Sequence, residues 1–181
     1  MSEILRAKLR VAGIDFAPTF ATDVALAAAV WVEQPLTLKD DEISMVEGDP
    51  TEDAVYTHEL DTPVDVDYTG ALTTFVGTFI KATFDQMAAL LGGSASGDGD
   101  TAVYKHSGVK KVHETAIRIR LKDGGAVVIP KARGTVQYNG TYGAENGRLK
   151  LPFKFTPVVQ STYVDANDEP IDFLIQNKAT V

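Results

Sequence analysis

The sequence predicts a mainly β protein, a β-sandwich or small β-barrel with one short flanking α-helix at about residues 84–91. Apolar and polar residues alternate with period two in several segments that turn residues separate, as in half-buried strands. Only one segment carries a complete set of helix signals. The chain has 181 residues, 44% of them hydrophobic, which is enough to bury one core. We therefore expect a single domain over residues 1–181.

The N-terminal region is the first element. Residues 1–33 show no sustained alternation, so we expect an N-terminal arm that becomes ordered against a neighbouring copy. The longest charge-free apolar run in it, Val24 to Val32, has nine residues, whereas a membrane-spanning helix needs about twenty. We interpret this run as a core or interface segment and expect no membrane span.

A long hairpin is predicted from Pro63 to Ala82. In the first strand Val64, Val66 and Tyr68 alternate with Asp65 and Asp67, Gly70 follows, and the chain resumes as LTTFVGTFIKA. If the apolar set faces a core, the two carboxylates face water or a lumen.

The helix lies in TFDQMAALLGG, residues 83–93. Thr83 or Asp85 can cap its start, and Gly92 with Gly93 supplies a left-handed stop. Four apolar residues recur at helical spacing: Phe84, Met87, Ala88 and Leu91. Two turns of helix are marginal alone, so we expect these residues to plug an open end of the barrel.

Two further strand pairs follow. TAIRIRLKD turns at Asp123 into AVVIP, and residues 135–142 face residues 148–156 around a turn at 143–147. Pro152 predicts an edge or a bulge in the last strand. A basic stripe alternates with apolar residues in TAIRIRLKD, and it consists of Arg118, Arg120 and Lys122.

Charge is segregated along the chain, whose formal net charge is −8. Residues 34–67 contain eleven acidic residues and one lysine, whereas residues 104–154 contain eleven basic and three acidic residues. Opposite charges on one molecule can attract neighbouring copies in a heterologous contact that closes into a ring or continues as a filament. The alternative is that the two segments neutralise each other inside one monomer.

Residue patterns for catalysis and ligand binding are absent from the sequence. There is no cysteine, no G-x-S-x-G nucleophile elbow, and His113-Glu114 lacks the second histidine of a zinc-binding H-E-x-x-H helix. GDGD at 97–100 has too few oxygens for calcium, and DANDEP at 165–170 has Pro170 where an EF-hand needs glycine. We expect no enzyme, no cofactor, no catalytic residue and no metal.

The order of motifs resembles the tail tube proteins of long-tailed bacteriophages. The similar part covers about residues 35–160 and includes an acidic lead-in, LTTFVGTFI, the AALLGG helix, VVIPKARGTVQYNG and RLKLPFKFTPV. The resemblance implies a β-sandwich or small barrel that forms hexameric rings, stacked into a tube through which the genome passes. It implies a location in the virion tail after synthesis in the host cytoplasm. It also implies partners in other copies and in other tail proteins at the tube ends, with DNA passing without specific binding.

In that setting Asp65 and Asp67 are candidates for the lumen wall, because an acidic wall repels DNA phosphates. The stripe of Arg118, Arg120 and Lys122 is the candidate subunit contact, and the long hairpin and the arm would bridge subunits or rings. A type VI secretion tube protein is an alternative with nearly the same sequence logic. A monomeric β-sandwich that binds carbohydrate or protein is another, with Tyr138, Tyr142 and Tyr163 as its candidate stacking rings.

Overall fold

A computed structural model describes residues 10–39, 41–56, 65–70, 72–143, 148–160 and 162–176. Within them the strands are β1 (Val11–Ala17), β2 (Val32–Glu33), β3 (Leu36–Thr37), β4 (Ser44–Glu47), β5 (Thr51–Val55), β6 (Asp65–Thr69), β7 (Thr73–Ile80), β8 (Ser94–Ser96), β9 (Val103–Lys105), β10 (His113–Leu121), β11 (Ala126–Val136), β12 (Asn139–Gly140), β13 (Leu149–Pro157) and β14 (Leu174–Gln176). The helices are α1 (Asp23–Ala28) and α2 (Phe84–Leu91), and Gly99–Thr101 forms a 3₁₀ turn.

The mainly β prediction is confirmed. A curled antiparallel sheet has the strand order β2-β1-β10-β11-β13-β7-β3, with β4 beside β7, β12 beside β13 and β14 beside β11. The predicted pairs around residues 123 and 143 form, as β10 with β11 and as β11 and β12 with β13. Pro152 predicts an edge or a bulge, and the edge prediction is wrong. β13 lies between β11 and β7, with Pro152 opposite Thr78.

One short segment ties the two ends of the curled sheet together. β2 pairs with β1, and β3, only two residues later, pairs with β7. Beside these pairs, the Gln34 amide donates to the Ile14 carbonyl at 2.9 Å, and the Leu38 amide donates to the Thr78 carbonyl at 3.0 Å. Residues 32–38 therefore give backbone partners to strands that would otherwise be open edges.

The concave face of the sheet holds the larger core. Phe75, Phe79 and Phe155 have no exposed surface, and Phe16 packs edge-on against Phe155 with ring centroids 5.4 Å apart. Helix α2 covers this face with the buried side chains of Met87, Leu90 and Leu91.

Helix α2 confirms the predicted helix and corrects its buried stripe. Thr83 is the N-cap: its hydroxyl accepts from the Gln86 amide at 3.2 Å, and the Gln86 side chain accepts from the Thr83 amide at 3.0 Å. Met87 and Leu91 are buried as expected, but Ala88 is half-buried and Phe84 is 42% exposed. Phe84 lies in the first turn and stacks on Tyr104 instead, so Leu90 supplies the third buried side chain.

The expected N-terminal arm is wrong over residues 11–33. β1 lies inside the sheet of its own chain, between β2 and β10, and the apolar run contains a second helix, α1. On the convex face this helix packs beside a smaller core of Ala17, Phe20, Ala116, Val128 and Tyr163. The buried Asp15 in the middle of β1 hides the alternation. Residues 1–9 lie outside the described part.

The hairpin predicted from Pro63 to Ala82 is wrong in its pairing, because its two strands, β6 and β7, do not pair with each other. β6 pairs with β5 and β7 pairs with β4. The same antiparallel register runs from Ser44 opposite Val76 to Val55 opposite Asp65, and the Gly48 amide donates to the Leu72 carbonyl across the break between the two pairs. The pairing continues past Gly70, which is therefore not a turn, and Pro63 and Val64 lie outside the described part. We call β5 and β6 the acidic ribbon.

Close packing at Gly134 provides a test of the sheet. A Cβ there would lie 2.6 Å from the Phe155 Cα and closer still to the Lys154 carbonyl oxygen, whereas a Cβ at Gly108 would meet nothing within 4 Å. Gly134→Ala should therefore lower the free energy of unfolding by about 1–3 kcal/mol through overpacking, measured by urea denaturation. Gly108→Ala is the control and should stay within about 0.5 kcal/mol of wild type. Equal stability of the two variants would contradict the close β11–β13 contact.

Candidate assembly surfaces

The acidic ribbon carries three carboxylates on one face. Asp53 lies directly opposite Asp67, and Asp65 lies opposite Val55, so all three acidic side chains point to the same side. Like charges directly opposite each other destabilise a strand pair. No lysine or arginine of the described ranges forms an ion pair with any of them. The described chain therefore does not compensate the negative charge of this face.

The ribbon also exposes apolar side chains, and no other described element packs substantially against it. Val55 and Tyr56 are 53% and 63% exposed at its outer end. Within the described residues the ribbon strands make no substantial contact with another element. The predicted lumen position of Asp65 and Asp67 depends on Val64, Val66 and Tyr68 packing on a core. No such core lies behind the described ribbon residues, so nothing in the fold supports the lumen position, and it stays a prediction.

A groove of about 360 Å³ lies between the end of α2, the loop at residues 106–111 and the end of β11. Leu91 and Val136 contribute apolar surface to it, and Lys110 and Lys111 contribute positive charge. Its remaining lining residues are His106, Ser107, Gly108, Val109, Gln137 and Tyr138. We call it the basic groove.

The shape of the basic groove depends on how the end of α2 is capped. Lys111 Nζ donates to the Ala89 carbonyl at 2.5 Å, His113 Nε2 donates to the Leu90 carbonyl at 2.6 Å, and the Tyr104 hydroxyl donates to the Gly92 carbonyl at 2.7 Å. Carbonyls in the last turn of a helix have no partner within the helix. These side chains supply the partners and thereby hold the groove loop against α2.

A row of aromatic rings runs along the surface beside the groove. Its members, from α2 towards β12, are Phe84, Tyr104, His106, Tyr138 and Tyr142. Neighbouring ring centroids from Phe84 to Tyr138 are 6.0 to 6.5 Å apart, and the hydroxyls of Tyr138 and Tyr142 are hydrogen-bonded. Tyr142 is 78% exposed. The row therefore offers flat apolar surface to a partner.

Tyr163, the third candidate stacking ring, lies elsewhere. Its side chain is buried in the convex core, and its hydroxyl donates to Asp23 at 2.7 Å. Burial and this bond raise the pKa of Tyr163 to about 12. The ring cannot stack on an external ligand, so it does not belong to a carbohydrate site.

The arginines of the predicted subunit contact have partners inside the chain. Arg118 donates twice to Asp15 Oδ2, at 2.9 Å from Nε and 2.7 Å from Nη2, and its guanidinium carbon lies 4.6 Å from the Trp31 ring centroid. Arg120 Nε lies 3.0 Å from the same oxygen, and Nη2 pairs with Glu33. Both side chains bind partners on the convex face and are still 31% and 38% exposed, so their place in a subunit contact stays a prediction. Lys122 is exposed in the turn after β10, and its role stays a prediction.

Most of the segregated charge is not neutralised inside the described chain. One ion pair there joins the acidic segment to the basic one, Lys150 with Asp41 at 3.4 Å. Lys131 pairs with Glu114 inside the basic segment. The acidic ribbon and the lysines of the groove loop thus remain separate charged surfaces.

Neither candidate calcium loop gathers a set of metal ligands in the described residues. No group of three or more His, Asp or Glu side chains comes together there. In the second loop Asp165 Oδ1 accepts from the amides of Asn167 and Glu169, at 2.8 and 3.0 Å, and these bonds lower the pKa of Asp165. Its carboxylate therefore serves the turn.

Neither α1 nor α2, nor any other helical stretch in the described ranges, combines the length and apolar character needed to cross a membrane. Comparison of the chain with protein-family models and with curated proteins gives no match. The fold is thus established by the structure, while the resemblance to tail tube proteins is a prediction.

The cap made by His113 predicts a pH dependence. Burial is the main cause that lowers the pKa of His113 below 6.5, so the unfolded chain takes up its proton first as the pH falls. The contribution to the free energy of unfolding is complete above pH 6.5 and is lost as the pH falls towards the folded pKa. His113→Gln keeps a donor for Leu90 without this titration and should lose less stability between pH 8 and pH 5, by urea denaturation. Parallel profiles for the two proteins would contradict this role.

In the ion-pair network of the convex face, replacing the buried acid Asp15 should lower stability more than replacing the exposed acid Glu33. Asp15 is 2% exposed, so Asp15→Ala leaves two guanidinium groups without their buried acceptor and should cost about 1–3 kcal/mol of unfolding free energy. Glu33→Ala removes a side chain that is 70% exposed and should cost less than about 1 kcal/mol. Thermal and urea unfolding of both variants measure the difference. Equal losses would show that Asp15 does not organise the network.

Proposed function

We propose that this protein is a structural virion subunit that assembles with itself into stacked hexameric rings, which form the tail tube of a long-tailed bacteriophage. The observation that carries the proposal is the acidic ribbon. It projects from the sheet with three carboxylates on one face and no cation from the described chain beside them. A positively charged partner would relieve the repulsion between the opposed carboxylates of the ribbon, and another copy offers one.

The curled sheet supports this mode of assembly. Because residues 32–38 pair with both β1 and β7, copies of the chain have little free edge at these strands for sheet extension. Contacts between copies would then form through the ribbon, the basic groove and the exposed aromatic row. The mainly β fold with α2 laid on the concave face also agrees with the architecture that the resemblance implies.

In this function the protein forms a conduit for genome delivery and carries out no catalysis. DNA would pass without specific binding, since an excess of negative charge repels phosphates and the chain has a net charge of −8. Other tail proteins would bind at the tube ends. The protein would be made in the host bacterial cytoplasm and would reside in the virion tail. A type VI secretion tube has the same assembly logic, and the neighbouring genes would separate the two.

The aromatic row favours a second candidate, a monomeric β-sandwich module that binds carbohydrate or protein. Exposed rings such as Tyr138 and Tyr142 stack on the apolar faces of sugars. The uncompensated carboxylates of the ribbon have no role in such a module, which is why self-assembly is the preferred function.

Self-assembly can be measured directly on the purified protein. We expect negative-stain electron microscopy over a concentration series to show hollow rings or tubes, with light scattering giving a mass that rises with concentration. The assemblies should dissociate as salt is raised, because screening weakens contacts between exposed charges. A monomer at every concentration, together with glycan binding that Tyr138→Ala abolishes, would contradict the tube and favour the binding module.

A further inference from the structure

The acidic ribbon and the basic groove lie at opposite ends of the same sheet. The ribbon leaves the sheet at Thr73, where β7 begins and pairs with Glu47. The groove lies at the other end of β7: Val136 is opposite Phe153, which is opposite Gly77, and Tyr138 comes two residues further on. The groove residues Val136 to Tyr138 therefore lie four to six strand residues from the level of Thr73, or about 13–20 Å at 3.3 Å per residue.

We propose that the outer end of the acidic ribbon of one copy binds in the basic groove of the next copy. This inference rests on the proposed function, since it names the contact through which that assembly grows. The ribbon points away from the groove of its own sheet, so it cannot fill that groove within one chain. A head-to-tail contact of this kind is heterologous, and each bound copy leaves one free ribbon and one free groove for the next.

The two surfaces match in charge. Asp53 and Asp67 face each other on the ribbon without a cation in the described chain. Lys110, exposed on the groove loop, forms no ion pair with any described carboxylate. Lys111 adds a second positive charge while its Nζ caps the helix. Lysines placed beside the opposed aspartates would remove the repulsion that the ribbon carries alone.

The two surfaces also match in their apolar groups. Val55 and Tyr56 are exposed at the outer end of the ribbon, and Val109 and Tyr138 are exposed at the groove. A volume of about 360 Å³ is at the lower end of the range for ligand sites, about 300–1,000 Å³. A groove of this volume can take a few side chains of the ribbon and not the whole of β5 and β6. Binding would place Asp67 at a contact between copies instead of on a lumen wall.

Disulfide trapping tests the contact. The chain has no cysteine of its own, so only the introduced cysteines can form a disulfide. Val55→Cys and Val109→Cys keep every charge and alter two exposed valines. When the two variants are mixed and oxidised, we expect a mixed disulfide on non-reducing gels, identified by peptide mass. Val24→Cys mixed with Val109→Cys is the matched control, because Val24 is an exposed valine on α1. The ribbon pair should cross-link at least about tenfold faster than this control, as expected for steered, specific contact.

Charge reversal tests the same contact by an independent route. Lys110→Glu alone, or Asp53→Lys with Asp67→Lys, should weaken assembly by about tenfold or more, since like charges then meet across the contact. The combined variant, with both sides reversed, should recover. Lys154→Glu is the control, because Lys154 is exposed on β13 and lies outside the groove. Circular dichroism and urea unfolding confirm that each variant is folded.

The outcomes separate this inference from the proposed function. Cross-linking with no rings or tubes would support the contact and overturn the tail tube. Rings or tubes whose cross-linking does not exceed the Val24→Cys control, and which tolerate charge reversal, would overturn the contact and leave the tube. A monomer that cross-links no better than the control would overturn both. Glycan binding at Tyr138 without cross-linking would assign the groove to carbohydrate and overturn the contact.

Discussion

The concave apolar face of the curled sheet is the constraint on which the rest of the structure depends. A face built around Phe75, Phe79 and Phe155 must be covered, and α2 covers it. The short helix then needs partners for its last carbonyls, which Tyr104, Lys111 and His113 provide. Since those residues flank the groove loop, the basic groove follows from covering the core. Core burial and a surface for partners are thus physically linked.

The convex face of the same sheet uses its charges in a different way. There Asp15 lies buried between Arg118 and Arg120, and Trp31 covers one guanidinium group. Together with Glu33, which pairs with Arg120, Asp15 balances both guanidinium groups within the chain, and the network fixes the position of the segment that leads to β2. The ribbon carboxylates and Lys110 have no such partner in the described residues. The charged groups of the convex face therefore stabilise the fold, whereas those of the ribbon and the groove loop are exposed to solvent.

Local patterns predicted the elements whose signals lie within a few residues of each other. Period-two alternation found β10, β11 and β13, and the capping residues around Thr83 found α2. Signals that depend on distant partners were missed: the partner of β6 is β5, across the hairpin, and Asp15 lies 103 residues from Arg118. β1 was missed because its buried aspartate breaks the apolar pattern. The groove could not be predicted, because it forms only when α2, the loop and β11 meet.

Because the register of the hairpin is constant, the length of the ribbon can change without changing the fold of the sheet. From Ser44 opposite Val76 to Val55 opposite Asp65 the pairing never slips, and the described ribbon has no core behind it. Residues could be inserted in matched positions on both strands without disturbing the sheet. A single inserted pair would turn the carboxylates to the other side, so lengths that keep the acidic face change in steps of two residues per strand, about 6.6 Å. A change in the length of the ribbon would therefore move its acidic face relative to the sheet in discrete increments while keeping the same core.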